Sequence, residues 1–168
     1  NRPSFIIYGG SMPPSLYKGK ELDIVSSFEG YGSLLSNKIT EDEYDDLISN
    51  CCNKNGGACS GLYTANTMAS LFEVMGLTQP NSSSNPSNSI EKMNECMNSI
   101  NIMDKCMIED IKPSDIINKT SFENAIKMLY CTGGSTNAII HLLAIANELD
   151  IELDINEFNK YKNIPVLL

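Results

Sequence analysis

The residues best suited to chemistry lie in CSGLYTANTMASLFEVMG, Cys59 to Gly76, where a cysteine stands at the mouth of an expected helix. Leu62, Ala65, Ala69 and Phe72 recur at intervals of three and four, which lines one face of a helix. Gly76 offers a left-handed stop, and Pro80 blocks continuation soon after. Upstream, Gly56, Gly57 and Ala58 allow a tight turn and leave space beside the sulfur. A cysteine placed there would lie near the positive end of the helix dipole, which favours thiolate, the metal-binding form. The competing reading is that Cys59 is a small buried residue ahead of a helix.

Other polar clusters divide in the same way. GGSTN, Gly133 to Asn137, feeds a helix N-terminus with Ser135 or Thr136 as its cap. Free amides there suit a carboxylate or phosphate, and a plain helix–turn–helix junction explains the same residues. Thr40-Glu41-Asp42-Glu43 resembles a carboxylate pair for acid–base work but is better explained as a capping box with its dipole partners. Lys18-Gly19-Lys20 is either a solvated turn or a positive patch facing substrate beside GGSMPP. His141, the only histidine, is expected to be a hydrogen-bonded structural residue among Ile140, Leu142 and Leu143.

The elements that must position these groups follow from pattern. Ser4–Tyr8, closed by Gly9-Gly10, fits a buried strand leading into a ligand-binding loop. Asp23 to Tyr31 is expected to be a helix ended by Gly32. Met93, Cys96, Met97, Ile100 and Met103 form a stripe expected to pack in the core, with Cys96 and Cys106 as filler. Thr120 to Glu123 forms a capping box before Ile126, Met128 and Leu129, Asp154 caps a last short helix, and Ile164–Leu168 reads as a strand beginning. An apolar end of that kind, with an opening Asn1-Arg2-Pro3, suggests a piece of a longer protein.

The segments CSGLYTANTMAS, FIIYGGSMPP, GKELDIVSSFEGYG, LTQPNSSSNPS, IKPSDII and GGSTNAIIHLLAIA together resemble the dihydroxy-acid and phosphogluconate dehydratases. The resemblance implies an iron–sulfur hydro-lyase, with Cys59 as one thiolate ligand of a 2Fe-2S or 4Fe-4S cluster. It also implies Mg2+ in the whole enzyme, a small dihydroxy-acid substrate with Gly134, Ser135 and Thr136 near it, and a homodimer. A cytoplasmic site is implied for a bacterial source, and a mitochondrial or plastid one for a eukaryote. The family's Cys-Asp-Lys motif and its distal serine base match nothing in this chain, so no catalytic residue is assigned here and the chain alone is expected to be inert. Where the family has Cys-Pro, Asn53-Lys54 stand in this sequence.

By composition NSSSNPSNS, Asn81 to Ser89, is a linker; the resemblance instead implies an ordered loop within residues 1–168 as a single partial domain. The expected fold is α/β and helix-rich, a layered domain with a short, mainly parallel sheet, an incomplete part of a larger N-terminal domain. A formal charge of −9 argues against nucleic acid or an anionic membrane as partner. No apolar run reaches the roughly 18 residues of a spanning helix. The 6 cysteines, without a visible signal peptide, fit a reducing compartment better than a disulfide framework. Cys51, Cys52 and Cys59 form no CxxC pair, so zinc is a poor fit. Two other functions share the residues: a sugar-acid or 6-phosphogluconate dehydratase, and an inactive paralogue serving as an interaction module.

Overall fold

A computed structural model describes residues 2–167. Ser15–Tyr17 (β1) and Lys20–Leu22 (β2) pair antiparallel, and the remaining named elements are helical. The α-helices are Ile24–Leu35 (α1), Glu41–Cys51 (α2), Thr64–Val74 (α3), Ile90–Ile108 (α4), Pro113–Ile116 (α5), Lys119–Thr132 (α6) and Asn137–Glu148 (α7); a 3-10 helix spans Ile155–Tyr161.

Among the described residues the mainly parallel sheet is therefore not found. Ser4–Tyr8 is extended but is no strand, because it has no adjacent strand to pair with among the described residues. Ile6 N donates to Leu77 O at 2.9 Å, and the Ile6 side chain rests on the core while Ile7 is exposed. Among the described residues, parallel pairing survives only as isolated bridges from Ser11 to Ala58 and to Pro86.

The hairpin turn explains Lys18-Gly19. Both residues have positive φ, 48° and 78°, the conformation that a two-residue turn of matching twist requires. Lys18 Nζ meets Asp46 Oδ2 at 2.8 Å and lies over the Tyr17 ring, so its charge is used at the surface between the hairpin and α2.

The core is built by α3, α6, α7 and the 3-10 helix. Leu71, Phe122, Ile126 and Leu142 are its most enclosed large side chains. On α6 the side-chain cap is Asn118, bonded to Ser121 N at 3.2 Å, two positions ahead of the Thr120 expected from sequence. Helix α1 runs through Gly30 and Gly32 to Leu35 rather than ending at Gly32, with Gly30 buried against Leu47 and Tyr44 of α2. Thr40 and Glu43 form the capping box expected for α2, and Asp154 caps the 3-10 helix through Asn156 N.

Helix α4 reverses the expected polarity. Met93, Met97 and Ile100 are exposed, as is Cys96, whereas Lys92 and Glu95 are buried; Cys106 is buried as expected. The reason is that the face turned inward carries an ion pair, Lys92 Nζ to Glu95 Oε2 at 2.6 Å, with both side chains 4% exposed. Residues 164–167 form no strand; Leu167 N donates to Cys131 O, and Leu168 lies outside the described residues.

Candidate functional site

Three backbone segments meet at the Cys59 turn. Ala58 N donates to Gly10 O at 2.9 Å and Met12 N donates to Ala58 O at 2.7 Å. Ser87 N donates to Ser11 O, and Ser87 Oγ donates to Gly56 O, both at 2.9 Å. Gly10 is required at this crossing: its φ is +90°, and a Cβ would stand 2.5 Å from Ser87 N and Cα. Asn53 organises the approach to the turn. Its Oδ1 accepts from Asn55 N at 2.9 Å and its Nδ2 donates to Pro14 O at 2.9 Å.

Cys59 is exposed and stands five positions ahead of Thr64, the first residue of α3. The N-cap is Tyr63, so the sulfur is carried on a loop and does not cap the helix. The helix dipole acts within the first turn, which begins after Tyr63. What holds the turn is Asn66. Its Nδ2 donates to Cys59 O and to Gly61 O, both at 2.8 Å, and its Oδ1 accepts from Tyr8 OH and, at 3.1 Å, from Ser11 Oγ.

Cys51, Cys52 and Cys59 share a small cleft of about 110 Å³ with Met12, Asp23 and Ser60. They are not equivalent as ligands. Burial, then the neighbouring Cys52 and Asp23, push the Cys51 thiol up, which keeps it protonated. Asp23 is occupied as the cap of α1, accepting from Ser26 N at 3.0 Å. Among the described residues no group of three or more His, Cys, Asp or Glu side chains is arranged to hold a metal ion. Cys52 and Cys59 are both exposed in this cleft while Cys51 is buried, so the thiols present would serve a metal group only alongside further donors. They do not fit a complete metal centre.

The GGSTN junction rests on the same end of α3. Ser135 N donates to Thr67 Oγ1 at 2.9 Å, and Asn137 Nδ2 donates to Thr64 Oγ1 at 2.8 Å. Gly133 is the left-handed cap of α6, and a Cβ on Gly134 would collide with Thr67 at 2.8 Å. Its amides are largely engaged: Gly133 N bonds Tyr130 O, Gly134 N bonds Leu129 O, and Asn137 N bonds Ser135 Oγ. Gly134 and Thr136 line an apolar cavity with Phe158 and Val166, separate from the Cys59 cleft. His141 is exposed on α7 rather than set into the structure.

Sequence reasoning missed the buried polar groups behind the turn. Lys92 Nζ bonds Glu95 and donates to Ser82 O at 2.9 Å, and it sits 5.5 Å from the centre of the Tyr8 ring. Ser82, fully buried, donates its hydroxyl to Glu95 Oε1, and Asn85 Nδ2 reaches Glu95 Oε2. Glu73 accepts from Asn81 N, Ser83 N and Ser83 Oγ. The serine-rich stretch is accordingly an anchored loop, not a linker.

With that geometry in place, comparison with known proteins is decisive for the family. The dihydroxy-acid/6-phosphogluconate dehydratase N-terminal family model matches residues 1–168. The chain belongs to this family. It is 48% identical over 168 residues to a dihydroxy-acid dehydratase of Flavobacterium psychrophilum, covering 99% of this chain and 30% of that protein. A mitochondrial dihydroxy-acid dehydratase of Aspergillus fumigatus is 48% identical over 163 residues, covering 95% of this chain and 27% of its own length. One from Francisella tularensis subsp. novicida is 45% identical over 168 residues, 99% of this chain and 30% of that protein. The chain thus spans under a third of the length of these relatives. No helix among the described residues is long and apolar enough to cross a membrane.

Proposed function

We propose that this chain is the central part of the N-terminal iron–sulfur domain of a dihydroxy-acid dehydratase. In this reading the whole protein converts 2,3-dihydroxy-3-methyl carboxylic acids to 2-oxo acids on the route to valine, isoleucine and leucine. The observation that carries the proposal is Cys59, an exposed thiol on a turn pinned from both sides, within a dehydratase family match. Cys59 would hold the cluster as one thiolate among several, the others coming from outside this chain.

Removing a β-hydroxyl demands a Lewis acid, because hydroxide leaves poorly; a cluster with an open iron site supplies one when bound. The chain's own part is to hold the thiolate outward from a fixed backbone and to keep Cys51 protonated behind it. Asp23 is a carboxylate lining this cleft with its Oδ1 engaged as a cap, so the Mg2+ of the whole enzyme would need further carboxylates from outside it. Substrate contact at Gly134, Ser135 and Thr136 is the narrower part of the proposal. Thr136 is exposed, while the Gly134 and Ser135 amides are already bonded. A homodimer and a compartment set by the host, cytoplasm in bacteria and mitochondrion or plastid in eukaryotes, complete the reading.

The 6-phosphogluconate dehydratases share the family model, but the relatives described above are named for dihydroxy acids, which favours that substrate class. In the protein at its relatives' full length, Cys59→Ser should lose both iron and dehydration of 2,3-dihydroxy-3-methylbutanoate. Cys51→Ser and Cys52→Ser should keep both. A Cys59→Ser protein that retains its iron would refute the assignment, and faster turnover of 6-phosphogluconate would overturn the substrate class.

A further inference from the structure

Asn66 lies in the first turn of α3 and is 8% exposed, yet its side-chain amide has a partner for every donor and for its acceptor. Its orientation is forced. Turned over, Oδ1 would face the carbonyl oxygens of Cys59 and Gly61, which cannot donate, whereas the Tyr8 and Ser11 hydroxyls can serve either way, so the two carbonyls set the orientation. The amide therefore bridges two segments that no regular element joins: the turn bearing Cys59 and the Tyr8–Ser11 stretch. On the other flank, Ala58 is held by both its N–H and its carbonyl to Gly10 and Met12. The backbone on each side of Cys59 is thus fixed while its side chain stays exposed.

We propose that Asn66 is the positioning residue for Cys59: through the Cys59 and Gly61 carbonyls it sets the direction in which Sγ leaves the chain, and hence how firmly that sulfur holds iron. The proposal rests on the assignment of Cys59 as a cluster ligand. Groups that orient a metal ligand from behind are worth about 10- to 100-fold in metal retention when removed. Asn66→Asp keeps the side chain's shape but presents carboxylate oxygens to two carbonyls, and Asn66→Ala leaves those carbonyls unpaired.

The experiment uses the cluster-loaded protein at its relatives' full length, with Asn66→Asp, Asn66→Ala, Cys59→Ser and, as a control for general destabilisation, Leu71→Ala. Leu71 is 1% exposed in the core of the same helix and takes no part in the turn. Iron release to excess chelator and the visible circular dichroism of the cluster are measured, with thermal melts alongside. The expected result is iron release at least about tenfold faster in both Asn66 variants, with altered dichroism, and neither change in Leu71→Ala. Wild-type release and dichroism in the Asn66 variants overturn the proposal. So does a Leu71→Ala protein that behaves as they do, or failure of both Asn66 variants to fold, since the role is then merely structural. Retention of iron by Cys59→Ser refutes the ligand assignment itself, whereas its loss beside unaffected Asn66 variants refutes only the positioning role.

Discussion

Replacing Lys92 by Met tests how the serine-rich loop is held. The substitution conserves most of the side-chain stem and deletes only the cation. Lost with it are the 2.6 Å bond to Glu95 Oε2 and the 2.9 Å bond to Ser82 O. Glu95 is then left with a side chain 4% exposed and no counter-ion. Removing one partner of a buried pair costs about 3–5 kcal/mol. Glu95 would keep its bonds from Ser82 Oγ and Asn85 Nδ2, so the lower end is expected, about 3 kcal/mol. For a chain of this size that is a fall in Tm of roughly 6–12 °C. Glu95→Gln, which leaves the cation its Ser82 and Tyr8 contacts, should cost less. The double variant should be milder than the sum of the singles by at least about 1 kcal/mol, because neither charge is then left alone. Urea denaturation of the three variants and wild type supplies the cycle. A loss below about 1 kcal/mol for Lys92→Met, together with additivity, would show that the pair is solvated and the loop is not anchored by it.

Two further outcomes follow from the same region. Glu73 and Glu95 are penalised by burial, but their hydrogen bonds, from the Ser83 and Asn81 groups and from Lys92 and Ser82 respectively, outweigh it and hold both carboxyls below the usual range. Their stabilisation is therefore complete above the unfolded carboxylate pKa of about 4.3 and is lost as pH falls through the lower folded values. Urea midpoints should stay level from pH 7 to about 5 and drop below about 4; a midpoint that rises on acidification would contradict this. Gly10→Ala should cost roughly 3 kcal/mol, since its Cβ meets Ser87 backbone at 2.5 Å in a positive-φ conformation. Gly9→Ala, with open space around it, should cost less than about 1 kcal/mol. Equal melting losses for the two would remove Gly10 from the crossing.

Much of the helical skeleton is legible in the sequence because local chemistry sets it. Thr40 with Glu43, Asp154, and the stops at Gly76 and Gly133 act within a few residues of themselves, so short windows suffice to find them. The motif around Cys59 likewise carries the family, and with it the candidate ligand, without coordinates. Apolar spacing misled at two places. On α3 it chose Ala65, which is exposed, and passed over Asn66 and Thr67, which are buried; on α4 it sent the methionines inward. In both helices polar side chains are buried beside or in place of apolar ones, and they are satisfied by partners from distant segments: Tyr8, Ser11 and Ser135 for α3, Ser82 and Asn85 for α4. Hydrophobic periodicity assumes that the buried face is the apolar one, which fails when a polar side chain finds its hydrogen-bond partners across the fold. The strand expected at Ser4–Tyr8 failed for a related reason, since an apolar extended run becomes sheet only if another strand lies beside it. The family resemblance carried by the sequence motifs nominates Cys59 as the sulfur that would bind. Which side chain holds that sulfur in place depends on contacts between residues 55 and 58 positions apart, and only the tertiary structure decides those.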